Sequence, residues 1–271
     1  MNFQIKSKYG FSDLVALVAL LRSDGGCPWD REQTHQSVRM NLLEEAYEAA
    51  EAIDLSDDVL LREELGDVLL QVIFHAQIAL ERGVFDIEGV ADGVCKKLVE
   101  RHPHVFSGLE VDGAGQVLVN WDEIKRRSKK IESHTGAMRA VAASLPALMR
   151  AEKIQKKAKK AGFDWPDVSG AMDKLREEIG ELESAGPDSA EEELGDLLFA
   201  AVNAARFYGV DPELALTRAS EKFIGRFEKV ETAATAGGGR MEDMTLEELD
   251  RLWEQAKKTE TSTEKNGNSY K

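Results

Sequence analysis

Two carboxylates three residues apart on a helix project from neighbouring points of one face, and this sequence carries such pairs in two matched sets. Glu45 and Glu48 precede Glu64 and Asp67; Glu178 and Glu181 precede Glu193 and Asp196. On a helical wheel Glu64 and Asp67 fall on the stripe continued by Gln71, Phe74, His75 and Ile78, so the acidic groups look into one end of a bundle. Four inward carboxylates repel one another and lose hydration. A bound divalent cation removes that conflict, and an all-oxygen ligand set favours Mg²⁺, Mn²⁺ or Ca²⁺ over softer metals. Mg²⁺ held this way is typically shared with substrate phosphates, which makes phosphate chemistry the leading expectation.

Phosphate chemistry needs cations. Lys97 and Arg101, and again Lys222 and Arg226, lie four apart on one helix face, while Lys174 and Arg176 border the second acidic block. Trp121 and Trp253 offer flat faces on which a base could stack. Each feature has an ordinary reading: acidic pairs solvate helices and complement helix dipoles, and surface cations often do nothing specific. Four matching carboxylates in two ordered copies tell against coincidence. Gly66 and Gly195, inside the repeated ELGD, are costly in a helix interior, and such a glycine admits a ligand or a close neighbouring helix.

The elements that must position these residues are helical. Leu42, Ala46, Ala49, Ala50 and Ile53 share a helical spacing within 40–55, and Asp57-Asp58 caps a further helix running to Gly83. That helix is apolar on most sides beyond Asp67, which places it centrally in its bundle. A third helical pattern runs from Ile87 to Pro103, and nothing alternates with period two except a short VLV at 117–119. The apolar run LVALVALL at 14–21, opened by Ser12-Asp13, is too short to span a bilayer and lacks a cleavage site, so it reads as a core helix.

Laid side by side, the halves repeat in order. CPWD (27–30) meets FDWPD (163–167), LLEEAYEAAE (42–51) meets LREEIGELES (175–184), REELGD (62–67) meets EEELGD (191–196), and NWDEIK (120–125) meets LWEQAK (252–257). The fold class expected is therefore all-α, a tandem duplication of one helical bundle module. Its parts are 1–125, a connector at 126–145, a second module at 146–258 and a loose polar tail at 259–271.

Composition narrows the partners. With 271 residues and 42% hydrophobic content the chain can bury real cores. A formal net charge of −15 argues against a nucleic-acid polymer, whose backbone demands clustered Lys and Arg. Two cysteines in unrelated contexts, Cys27 and Cys95, indicate neither a disulfide framework nor a thiolate zinc site. A reducing cytoplasm fits, with no membrane partner.

The combination of GCPWDREQTHQSVRMNLLEEAYEAAEAI, REELGD and KLVERHPHVF with KKAGFDW, EEIGE, EEELGDLLFA, KFIGRF and a late LWEQAK strongly resembles the two-domain MazG nucleoside triphosphate pyrophosphohydrolases, over residues 10–257. The resemblance implies a MazG-type all-α fold, a homodimer, and Mg²⁺-dependent hydrolysis of nucleoside triphosphates to monophosphate and pyrophosphate. It implies metal ligands Glu178, Glu181, Glu193 and Asp196, with Lys174, Glu177, Lys222, Arg226 and Trp253 lining the nucleotide site. Metal-assisted attack of water on a phosphoryl group, most simply the α-phosphorus, is the expected reaction, with Glu177 or Glu178 orienting or deprotonating the water. The first copy retains Glu45, Glu48, Glu64, Asp67, Lys97, Arg101 and Trp121, yet its Gln71, Phe74 and His75 stand where the second has Ala200, Asn203 and Ala204, a bulkier set that narrows a pocket. The resemblance further implies that the C-terminal copy can act alone.

Two rival readings remain. A di-iron bundle also uses inward glutamates but requires Glu-x-x-His on two helices, and here only Glu32 to His35 has that spacing. A non-enzymatic helical interaction module would leave the acidic residues merely solvating.

Overall fold

The computed structural model describes residues 3–128, 131–236 and 240–267, with side chains to residue 258 in the last stretch. Among the described residues every regular element is helical, and the VLV at 117–119 lies within a helix. The chain divides into two compact units, Met1–Lys125 and Arg126–Lys271.

The first unit comprises α1 (Phe11–Leu21), α2 (Pro28–Glu32), α3 (Arg39–Leu55), α4 (Asp58–Glu81), α5 (Ile87–Arg101), α6 (Pro103–Phe106) and most of α7 (Gly113–Ser128). The run at 14–21 begins its helix earlier than Ser12-Asp13 implied. Gly10 is the cap residue, and the Asp13 carboxylate accepts from the Gly10 amide at 3.0 Å. Asp57 caps α4 as expected, accepting from the amides of Val59 and Leu60. Only Ser56 and Asp57 separate α3 from α4, so the two fold back on each other as an antiparallel pair, with α1 packed on α4. Val18, Val38, Ile73, Phe74 and Ile78 form the core, flanked by Leu14, Val15, Leu70 and Ile87. Of the apolar stripe expected on α3, Ala49 is buried, whereas Ile53 is 61% exposed because α4 covers only one side of α3.

One cation ties this unit together. Arg22, 9% exposed, donates from Nε and Nη2 to Glu81 at 2.9 and 2.7 Å, and from Nη1 to the carbonyls of Asp30 and Gln33. Its guanidinium also lies 5.0 Å from the centre of the Phe74 ring. The CPWD segment is thereby held to the end of α4.

The second unit contains α8 (His134–Arg139), α9 (Ala147–Lys160), α10 (Val168–Ser184), α11 (Ala190–Phe207), α12 (Pro212–Thr235), a single 3₁₀ turn and α13 (Leu246–Gly267). α10 and α11 pair as α3 and α4 do, α9 packs on α8, α11 and α12, and α13 lies along α12. In the connector, α7 extends to Ser128 and α8 occupies 134–139, while Lys129 and Lys130 lie outside the described residues. Within the tail at 259–271, α13 continues to Gly267, the first glycine after Leu246, and residues 268–271 lie outside the described residues. Polar residues without Gly or Pro have nothing to stop a helix already under way.

Here the FDW segment is anchored by an ion pair. Arg206 of α11 and Asp164, 6% and 14% exposed in their side chains, form a two-pronged contact with Nη1 to Oδ2 at 3.0 Å. The Arg206 hydrogen bond holds the Asp164 carboxyl below its ordinary range against the opposing effect of burial. The stability this pair contributes is present above the unfolded aspartate value of about 3.9 and is lost as pH falls through the lower folded value. Asp164→Asn, which leaves Arg206 charged and unpaired, should cost about 3 kcal/mol at pH 7 and flatten the acid side of the melting-temperature profile. Calorimetric melts of both proteins from pH 7 to 3 check this; coincident curves would refute it.

Candidate metal and nucleotide site

The pairing of α10 with α11 decides which carboxylates meet. Asp167 starts α10 by accepting from the Ser169 amide at 2.8 Å. Four turns of helix then place Lys174, Glu177, Glu178 and Glu181 along it. Glu193 sits in the first turn of α11 and Asp196 one turn on, where the positive end of the helix dipole favours acidic groups. Oxygens of Glu178, Glu193 and Asp196 all lie within 4.8 Å of one another. Glu178 is buried, Glu193 half-buried and Asp196 exposed, so the triplet opens towards solvent on one side.

Lys174 Nζ reaches both Glu177 Oε1 and Glu178 Oε1 at 2.7 Å. That contact pushes the Lys174 ammonium well above its ordinary range and holds Glu178 below its own. Glu181 stands outside the triplet, one turn further along α10. Its carboxyl is raised by its interaction with the neighbouring Glu178 carboxyl and then by burial. Among the described residues the other Glu178 oxygen, Oε2, is buried with no hydrogen-bond partner.

In the first unit the structure brings together Glu45, Glu48 and Glu64 by the same measure. Asp67 is not within that triplet, but its charge acts on it. The Glu45 and Glu64 carboxyls are both raised, chiefly by burial and then by neighbouring carboxylates, Asp67 and Glu48 among them. The contrast with Glu178 has a visible cause. Four residues before Glu178 stands Lys174; four residues before Glu45 stands Asn41, which carries no charge.

Both triplets fit a hard cation. Three convergent carboxylates, an orphaned buried oxygen on Glu178 and the mutual repulsion at Glu45 and Glu64 are all relieved by positive charge, and the donor set is oxygen alone.

A further group lies on α12 and α13. Lys222 is exposed, and the Arg226 guanidinium lies 5.9 Å from the centre of the Trp253 ring, which also meets Phe223 at 5.0 Å. The duplication repeats this arrangement: Arg101 and Lys125 lie 5.1 and 4.7 Å from the centre of Trp121. These tryptophans thus orient cations by cation–π contact.

Of the histidines, His75 is bonded to His35, Nδ1 to Nδ1 at 2.8 Å, with Nε2 buried and unpartnered among the described residues. Its partner is thus the His35 of the Glu32-x-x-His35 spacing, so that histidine is engaged with another ring and not with the acidic triplet. The Asp164–Arg206 pair, the Arg22 anchor and the buried Gln155 were not foreseen. A trace of the first lay in the i, i+3 spacing of Asn203 and Arg206, a polar edge on an otherwise apolar helix half. At Gly66 and Gly195 an added Cβ would meet nothing within 4 Å among the described residues, so neither glycine admits a close neighbour from among them.

Comparison with known proteins agrees with both units. The model of the MazG nucleotide pyrophosphohydrolase domain matches twice, at residues 33–106 and 167–231. A Thermotoga maritima protein named nucleoside triphosphate pyrophosphohydrolase/pyrophosphatase MazG is 48% identical over 250 residues, covering 91% of this chain and 95% of its own. An Escherichia coli protein named nucleoside triphosphate pyrophosphohydrolase is 43% identical over 254 residues, 91% of this chain and 97% of its own.

Mg²⁺ binding should raise the melting temperature, by about 2.7 kcal/mol of stabilisation at a hundred times the dissociation constant. Glu193→Gln and Asp196→Asn should each diminish that shift in calorimetric melts with and without Mg²⁺. An undiminished shift in both variants would remove the second triplet as a metal site.

Proposed function

The chain belongs to the MazG nucleotide pyrophosphohydrolase family, and on that premise we propose that it hydrolyses nucleoside triphosphates, ribo- or deoxyribo-, to the monophosphate and pyrophosphate. Such an activity clears unwanted nucleotides from the pool. The observation that carries the reading is the Glu178, Glu193 and Asp196 triplet with its orphaned buried oxygen beside Lys174.

These three residues, joined by Glu181 through a small side-chain movement, would hold Mg²⁺, or Mn²⁺ in its stead. The cation when bound would neutralise the carboxylates and polarise phosphoryl oxygens. Around it the chain's own residues divide the work. Lys174 fixes Glu177 and Glu178 and brings positive charge to the edge of the triplet. Glu177 is the exposed member of that pair; with Oε1 held by Lys174, its other oxygen would orient a water for attack and take its proton, with Glu178 the other candidate. Lys222 and Arg226 would meet phosphate oxygens, Arg226 being steadied by Trp253.

The first unit is read as structural or regulatory. It lacks the counterpart of Lys174, and Phe74, 7% exposed, fills the interior where the second unit has Asn203. A homodimer is proposed on the apolar surface each unit leaves open. Leu65 and Leu69 on α4, and Leu194 and Leu198 on α11, are between 37% and 53% exposed beside glycines with free space above them. A cytoplasmic setting suits the two free cysteines.

Product analysis of a nucleoside triphosphate panel with Mg²⁺ tests the proposal. Wild type and Glu64→Gln should release monophosphate and pyrophosphate, while Glu193→Gln should fall by at least about a hundredfold. Loss only in Glu64→Gln would move the site to the first unit. No turnover by wild type would favour the acidic interaction module instead.

A further inference from the structure

The loop between α2 and α3 meets α4 through two histidine rings. His35 Nδ1 and His75 Nδ1 are 2.8 Å apart, the ring planes differ by 10°, and the ring centres are 5.1 Å apart. The distance between centres equals the nitrogen separation plus one ring radius at each end. The rings therefore lie edge to edge in nearly one plane, with both nitrogens on the line between the centres. That is the geometry of a straight N–H···N hydrogen bond. It does not suit a tetrahedral metal, whose two nitrogen ligands would stand about 3.3 Å apart with their rings angled to one another.

The hydrogens of the pair can be counted. One hydrogen bridges the two Nδ1 atoms, one ring donating and the other accepting. His75 Nε2 is buried, with no partner among the described residues, whereas His35 lines a cavity beside Thr34 and Gln36. A buried donor without an acceptor is the costlier orphan, which fixes the tautomers: His75 carries its hydrogen on Nδ1 and donates it, and His35 accepts and keeps its own on Nε2. A further proton then has no good place. Any arrangement that keeps the bridge puts a hydrogen on His75 Nε2, a buried donor with nothing to receive it. Protonation of His35 Nδ1 instead sets two N–H groups against each other and breaks the bond. Burial and then His35 accordingly lower the His75 imidazole below its ordinary range. The surrounding charges do not reverse this. Arg22 of α1 and Glu81 and Arg82 at the end of α4 share the cavity of His35, and its acid, Glu81, is taken by Arg22. On α3, Arg39 is turned onto Met40; on α5, Lys96 pairs with Asp92.

The place of the bond gives it a role. The α3–α4 pair is joined at one end by Ser56 and Asp57; at its open end the His35–His75 bond ties the lead-in of α3 to α4, three residues before Val38 enters the core. We propose that the His35–His75 pair is an acid-released latch of the first unit, closed while one hydrogen is shared and opened when a second enters. The latch is fully formed above the ordinary histidine value of about 6.5 and is lost as pH falls through the lower value of the closed pair. The Arg22 anchor stays shut through that window, because the guanidinium holds the Glu81 carboxyl below its ordinary range. Release is thereby confined to the loop and the start of α3. Ala204 stands in the second unit where the first has His75, so the device belongs to the first unit and is independent of the hydrolase reading.

The test uses the full chain with nitrogen-15 in its histidines. At pH 7.5 the ring resonances should place the His75 hydrogen on Nδ1 and show a scalar coupling between the two Nδ1 atoms, and by pH 5.5 that coupling should vanish. Hydrogen exchange over residues 34–42, corrected for the intrinsic effect of pH, should quicken about tenfold between the same two values. His75→Asn keeps a donor, Nδ2, towards His35, and its amide can turn over to accept from a charged His35. Its exchange over 34–42 should therefore not quicken in acid. Hydrogens on Nε2 of both rings at pH 7.5, equal corrected exchange at the two pH values in wild type, or the same acid quickening in His75→Asn would each overturn the latch. The tautomer and the coupling are read on wild type, so they decide the matter even where the variant fails to fold.

Discussion

Carboxylates whose oxygens lie within 4.8 Å of one another repel strongly, and a chain keeps them together only if the surrounding framework is stiff enough to resist. In the second unit that framework is the α10–α11 pair, reinforced at both ends. The N-terminal turn of α11 supplies a positive dipole beneath Glu193. Lys174 balances part of the charge from α10. Further along, Gln155 bonds to the backbone of α11 and Arg206 fastens the same helix to Asp164, so α11 is pinned to α9 and to the FDW segment. The acidic triplet is the constraint, and these contacts hold α10 and α11 in place around it.

Duplication exposes how little separates a balanced site from an unbalanced one. Both units carry three convergent glutamate or aspartate side chains on paired helices, and both place an arginine over a tryptophan. The difference is made by single residues. With Asn41 in place of a lysine, Glu45 and Glu64 are raised by burial and then by their neighbours, whereas Lys174 draws Glu178 the other way. Phe74 in place of an asparagine turns a cavity wall into core. The first unit keeps the acidic pattern, with Phe74 packed in its core.

Much of this was legible in the sequence because it is periodic. The spacing of Glu178, Glu193 and Asp196 and the stripe from Glu64 to Ile78 follow from helix geometry alone, and the repeated order of motifs implied a repeated fold. What could not be read was which member of each acidic set lies at its margin. That choice, Glu181 in one unit and Asp67 in the other, depends on the rotation of one helix against its partner. Contacts between distant segments were equally hidden: Asp164 and Arg206 are 42 residues apart, and nothing local marks either as the other's partner. The start of α1 was misplaced for a subtler reason. Asp13 does cap the helix, but by reaching back to the Gly10 amide from within the first turn instead of preceding it.

Arg22 carries a consequence of its own. A single guanidinium there holds Glu81 at the end of α4, the carbonyls of Asp30 and Gln33 and the face of Phe74 in the core. Elements joined through one buried charge cannot loosen separately, because releasing any of them strands that charge. The end of α1, the segment around Trp29 and the last turn of α4 therefore open and close as one cooperative block, and their backbone amides share a common barrier to exchange with solvent.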